Sequence, residues 1–190
     1  LSLLNSFRDS TFLDTNGFNQ KNALAMYLPN SYEVFWNTSA EKFRNRMLKE
    51  YKRFWDPKRL EQAKAIGLTP EEVISLAAIV QKETVQVEER SKLAGVYLNR
   101  LRKRMRLEAD PTVIYALKEK YQNFDTIIRR VLRKDLKIKS PYNTYKNKGV
   151  PPGPITMPDI NAIDAVLQAD SHKYLYFVAN PKQPGYHTFA

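Results

Sequence analysis

The chain has 190 residues, of which 43% are hydrophobic and 27% charged, so it can bury a core and is not compositionally disordered. It has no cysteine and only two histidines, which excludes disulfides, thiolate metal sites, a Cys nucleophile and a His-based metal centre, and no apolar run approaches the ~20 residues that span a bilayer. The net charge of +11 favours a polyanionic partner or is a solvated basic surface, and no zinc-finger spacing, Walker loop, GxGxxG or RNP-like pattern directs it towards nucleotides or nucleic acid.

The first residue is Leu rather than Met and no signal-peptide pattern is present. The chain therefore reads as a fragment, with any targeting or anchoring segment upstream. Residues 1–26 predict a short helix, a turn at Thr15-Asn16-Gly17 and a second short helix. Tyr32-Glu-Val-Phe-Trp36, aromatic and β-branched after Pro29-Asn30, is a strand candidate. Thr38-Ser-Ala-Glu41 has the spacing of a capping box and predicts a helix to about Trp55. Phe43, Met47, Leu48, Tyr51, Phe54 and Trp55 would form its apolar face. Asp56-Pro57 ends that helix or begins another short one, and Gly67 is a stop.

Thr69-Pro-Glu-Glu72 is a strong helix start, with Thr69 as cap, Pro70 in the first turn and Glu72 returning the capping bond. Val73, Ile74, Leu76, Ala77, Ala78, Ile79 and Val80 then place apolar side chains on every side, the mark of a helix surrounded by protein. A second helix is predicted over Glu88–Met105. Asp110-Pro111 reads as cap and first helical residue of another, running to about Tyr121. Residues 125–134 look helical and basic. Ser140–Tyr145 and Gly149–Pro154 are loops rich in turn formers. Thr156-Met-Pro-Asp159 opens a helix to about Ala169, and 174–178 pairs with 187–189 as a hairpin across Asn180–Gly185. The fold class is α+β, mostly helical with a small antiparallel sheet.

Glu83 is the acid whose placement this local structure does not explain. Glu71, Glu72, Glu88 and Glu89 sit in first helical turns, where the helix dipole accounts for them. Asp110 and Asp159 read as caps, and Asp164 and Asp170 as exposed. A carboxyl at the end of a buried helix should have a raised pKa, and one still protonated near neutral pH can act as a general acid. The competing reading puts Glu83 in water or in an ion pair with Lys82 or Arg90. Tyr142, Asn143, Thr144 and Tyr145 either stack on and hydrogen-bond a sugar or form a well-packed loop. His187 is either a second polar group in a cleft or a structural strand histidine.

Seven motifs in order then carry a resemblance. Ala78-Ile-Val-Gln-Lys-Glu83, Asn99-Arg-Leu101, Asp110-Pro-Thr-Val-Ile-Tyr115, Ser140-Pro-Tyr-Asn-Thr-Tyr145, Gly149-Val-Pro-Pro-Gly-Pro-Ile155, Tyr174-Leu-Tyr-Phe-Val178 and His187-Thr-Phe189 together resemble the YceG-like family of endolytic murein transglycosylases. Tyr27-Leu-Pro-Asn-Ser-Tyr32 is similar to the Pro-Asp-Thr-Tyr opening of that family's catalytic domain, with Asn30 and Ser31 in place of Asp and Thr. The resemblance implies a lysozyme-like catalytic domain over 27–190. Residues 1–26 would be a connector or the remnant of a LysM-like subdomain.

It further implies Glu83 as the catalytic acid, with Gln81, Tyr142, Asn143, Thr144, Tyr145 and His187 as substrate-binding candidates and neither metal nor cofactor. Many members carry Glu where this chain has Gln81. The implied substrate is peptidoglycan, cut without water to leave a 1,6-anhydro end. Implied partners are the glycan strands and peptidoglycan synthases. The implied location is the cell envelope, periplasmic or on the outer face of the cytoplasmic membrane, with an upstream transmembrane anchor. Under this reading the Arg100–Arg106 stretch would face the membrane. Two rival readings remain: a silent peptidoglycan- or partner-binding module on the same scaffold, and nucleic-acid binding, which rests on charge alone.

Overall fold

The computed structural model describes residues 2–190. The chain opens with α1 (Ser2–Phe7) and α2 (Ser10–Thr15), turns at Gly17 with φ +81°, and forms a 3-10 turn at Ala23–Met26. Asp9 caps α2 by accepting from the Phe12 amide and also accepts from Arg44 at 2.8 Å. Leu13, Phe18, Ala25 and Met26 are buried in the same core cluster as the central helices. The segment read from sequence as a connector thus contributes directly to the main core.

Residues 32–36 do not form the expected strand. Phe35 and Trp36 are 85% and 104% exposed, and the only sheet among the described residues is a two-stranded one elsewhere. β-propensity reflects packing against a neighbouring strand, and here no neighbour is present. Helix α3 (Ala40–Phe54) starts one residue later than the expected box, with Ser39 accepting from the Lys42 amide. Its inner face carries Met47 and Tyr51, with Trp55 buried just beyond its end. Asp56 caps α4 (Pro57–Ile66) and Gly67, in the left-handed conformation, closes it.

The centre of the molecule is α5 (Pro70–Glu83). The Thr69–Glu72 capping box forms in both directions, at 3.3 and 2.9 Å, and every residue from Val73 to Val80 is buried. Around it pack α4, α6 (Arg90–Arg102), α7 (Asp110–Tyr121) and α8 (Ile160–Leu167). The basic helix expected at 125–134 is absent: this stretch is irregular and is followed by a 3-10 turn at Asp135–Lys137. In a helix, Arg129 would stand one turn from Arg133 and Arg130 from Lys134, like charges at a destabilising spacing. Instead Ile128 and Val131 lie against a small second cluster of Val113, Ala116, Leu117 and Ile138.

The hairpin forms from β1 (Phe177–Ala179) and β2 (His187–Phe189), antiparallel, with Phe177 opposite Phe189. It is shorter than the 174–178 expectation: before β1, Leu175 and Tyr176 still donate to the Ala190 carbonyl, and side chains of helix α6 hold the carbonyls on the way in. Asn99 Nδ2 donates to the carbonyls of His172 and Tyr174, and Arg100 Nε donates to that of Leu175 at 2.7 Å. Arg100 is only 7% exposed. It belongs to the fold, while Arg102, Lys103, Arg104 and Arg106 remain exposed.

Candidate active site

Glu83 is the last residue of α5. Its Oε1 accepts a hydrogen bond from the Tyr97 hydroxyl at 2.9 Å, and Tyr97 itself is buried on α6. The other side of the carboxyl opens onto a pocket of about 280 Å³, shared with Arg100, Leu107, Glu108, Asp110, Tyr145 and Phe177. Burial raises the Glu83 pKa, the Tyr97 bond lowers it and the charge of Asp110 raises it, and together they put it at about 7. Desolvation is the largest of these effects, as expected for a carboxyl at the mouth of a buried helix.

Asp110 was read as a helix cap, and the structure corrects this. The cap position belongs to Ala109, whose amide donates to Thr144 Oγ1 at 2.9 Å. Asp110 is therefore free to face the pocket, where its Oδ1 accepts from the Tyr145 hydroxyl at 2.6 Å. No local pattern separates a capping Asp from an Asp one residue inside the helix before Pro; only the distant loop decides it. Glu89, assigned to the helix dipole, is also differently used. It is 8% exposed, and its two oxygens accept from the His187 amide at 2.8 Å and from Thr84 Oγ1 at 3.3 Å, with His187 Nδ1 2.9 Å away. Glu89 thereby ties the residue following Glu83 to the hairpin that supplies Phe177 to the pocket.

The loop residues divide. Asn143 is 0% exposed. Its Nδ2 donates to the carbonyls of Leu136 and Ile138 and its Oδ1 accepts from the Tyr145 amide. Thr144 is buried against Thr112 and the Ala109 amide. The Tyr142 hydroxyl donates to the Lys21 carbonyl at 3.1 Å. These three side chains are occupied inside the protein and set the loop that carries Tyr145; of the four, Tyr145 lines the pocket. Gln81 Oε1 accepts from the Asp159 amide at 2.7 Å and so holds the start of α8. His187 stands behind the pocket, its ring perpendicular to Phe177 at 5.2 Å.

Asn143→Ala should accordingly destabilise the fold by about 2–4 kcal/mol, since the buried Ile138 carbonyl and the half-buried Leu136 carbonyl lose their donor. Activity per folded molecule should be unchanged. Urea unfolding alongside turnover normalised to folded protein checks this; a large loss of turnover at unchanged stability would restore a direct role.

A carboxyl that titrates near 7 can donate a proton at neutral pH and take one back in the next step. Its acid form is lost as pH rises, so an activity that needs the acid should fall through about pH 7. Tyr97→Phe removes the bond that lowers this pKa and should move the alkaline limb to higher pH. Asp110→Asn removes a charge that raises it and should move the limb to lower pH. Rate–pH profiles of both variants check the two directions; a shared direction would contradict the electrostatic account.

The model of the YceG-like family matches residues 4–190. An endolytic murein transglycosylase of Bacillus subtilis (strain 168) is 36% identical over 179 residues, covering 93% of this chain and 48% of the relative. One from Streptococcus pneumoniae serotype 2 (strain D39) is 33% identical over 152 residues, covering 80% of this chain and 27% of the relative. The chain thus spans about half or less of the length of these relatives. The crystal structure of a YceG-like protein from Listeria monocytogenes superposes with a TM-score of 0.76 at 30% identity, covering 99% of this chain and 63% of that one.

Proposed function

The chain belongs to the YceG-like family, and from that premise we propose that it is the catalytic part of a lytic transglycosylase cutting the MurNAc–GlcNAc β-1,4 bond within peptidoglycan strands. The observation that carries this reading is Glu83, a carboxyl titrating near 7 at the end of a buried helix and facing a pocket. Protonated Glu83 gives its proton to the glycosidic oxygen as the C1–O bond breaks, releasing the GlcNAc 4-hydroxyl. The resulting carboxylate then takes the proton of the C6 hydroxyl of the same MurNAc. O6 closes on C1, forming the 1,6-anhydro ring and restoring the acid.

One carboxyl suffices because the nucleophile is already part of the substrate, and its proximity lowers the barrier without a second group. Glu108 and Asp110 in the same pocket place negative charge where the sugar becomes cationic, a stabilisation that strengthens in the transition state. A single acid at a helix end beside a cleft is also what a lysozyme-like domain would present. The substrate assigns the protein to the cell envelope; no helix among the described residues is long and apolar enough to cross a membrane.

A second reading rests on Asp110. Inverting hydrolases use one carboxyl as acid and another as water base, and Asp110 shares the Glu83 pocket. Its oxygen accepting from Tyr145 at 2.6 Å favours a positioning role instead. Mass spectrometry of products from purified peptidoglycan separates the readings. Muropeptides lighter by one water are expected; ordinary reducing ends would make the chain a hydrolase, and no products would favour a binding module.

A further inference from the structure

A second pocket has a volume of about 260 Å³. It is lined by Lys82, Pro111, Ile114, Tyr115, Lys118 and Phe124 among others, whereas Glu83 and Asp110 line the first. Lys82 and Glu83 are consecutive, as are Asp110 and Pro111, so at two places the linings of the two pockets are chain neighbours, ~3.8 Å apart at Cα.

The two pockets have opposite electrical character. The catalytic pocket presents Glu83, Glu108 and Asp110. Its one cation, Arg100, is spent on the carbonyls of Leu175 and Leu107 and on Glu108. The second pocket is lined by two lysines and no acid. The Lys118 ammonium is held at the pocket by donating to the Phe124 carbonyl at 2.9 Å, which leaves two of its three protons free of that bond. Lys82 is exposed. Tyr115 and Phe124 meet edge to face at 5.8 Å and give the pocket an apolar side.

We infer that this second pocket is a subsite for the carboxylate-bearing lactyl-peptide arm of the substrate, with Lys82 and Lys118 as its specificity determinants. The inference rests on the glycan-cleaving reading above. A muramyl residue has a neutral ring and an acidic peptide arm on the same sugar. With Arg100 engaged by Glu108 and two backbone carbonyls, the first pocket offers the arm no free cation and faces it with Asp110, while it tolerates the neutral ring. The lysine pocket next to it attracts the arm, while the aromatic pair covers its methyl groups. The division of charge between the two pockets would therefore set which way round the sugar lies over Glu83.

The test is binding, so that it does not depend on turnover. Glu83→Gln protein is titrated with three uncrosslinked glycan preparations: peptide-bearing strands, the same strands with peptide carboxylates amidated, and strands stripped of peptide by an amidase and then amidated at the lactyl carboxylate which that hydrolysis exposes. Binding is expected to be about five- to tenfold tighter for the first than for the other two, the scale of one or two partly exposed charge-assisted contacts. Lys82→Gln and Lys118→Gln, made in that background, should each erase part of this preference, and more salt should weaken it. Equal binding to all three preparations, or a preference untouched by both lysine variants, overturns the subsite. The cleavage assay reports separately: a chain that shows the preference but yields no products keeps the subsite and loses the transglycosylase reading.

Discussion

Replacing Glu83 with Gln should lower turnover by a factor of about 10²–10⁴, the usual contribution of a positioned general acid, with the fold intact. The amide matches the carboxyl in shape and can still accept from Tyr97, so packing at the end of α5 is preserved. Stability should respond in a direction set by linkage. The Glu83 pKa stands at about 7 in the fold against an ordinary value of 4.5, so its contribution to stability is fully present below about pH 4.5 and is lost progressively as pH rises to 7. That gap corresponds to at most about 3 kcal/mol. The variant should therefore match the parent near pH 4 and exceed it above pH 7. Chemical denaturation at pH 4 and pH 8, with product analysis at neutral pH, reads both effects. Equal stability at the two pH values would mean that Glu83 is not held in its neutral form.

Gly153→Ala should be the most damaging single methyl group in the molecule. An added Cβ would meet the Lys21 carbonyl oxygen, lie 2.7 Å from its carbon and 3.1 Å from the Asn22 Cα. All three are backbone atoms, and no flexible side chain can swing away. The obstruction lies where the Gly149–Pro154 loop rests on the N-terminal segment, beside the Tyr142–Lys21 hydrogen bond. Relief requires separating two segments packed on the core, at a cost of about 3 kcal/mol or more. For a chain of this size that lowers Tm by roughly 6–12 °C. A thermal scan checks it; a change within a degree or two would mean that the loop moves freely off the segment beneath it.

Much of the scaffold was legible because its signals are local. The Thr69–Glu72 box, the all-round apolar run to Val80 and the left-handed Gly67 each act within one or two turns, and the structure has all of them. Glu83 stood out for the same reason: it is the acid without a local function. What was not legible depends on contacts distant in sequence. Ala109 rather than Asp110 holds the cap position, its amide donating to Thr144 35 residues away, and Glu89 bonds His187, 98 residues away. Asn143 and Thr144 are polar by composition yet buried, since backbone groups of neighbouring segments consume their hydrogen-bonding capacity. Tyr32–Trp36 carries strand-forming residues but has no edge to join. Residues 125–134 are irregular, with Ile128 and Val131 packed on a small second cluster supplied by Val113, Ala116, Leu117 and Ile138.

The seating of Glu83 on the most deeply enclosed helix has a bearing on heat tolerance. Its carboxyl cannot drift without disturbing Val80, Ile79 and the residues packed around them, and its partner Tyr97 is equally enclosed. Enzymes whose reactive groups ride on loosely held loops go silent some degrees before they melt, because local opening precedes global collapse. On the proposed reading, the acid sits at the end of a helix that is buried from Val73 to Val80. Inactivation and melting should therefore coincide on a temperature ramp, and a variant selected for higher melting temperature should carry its working range upward with it.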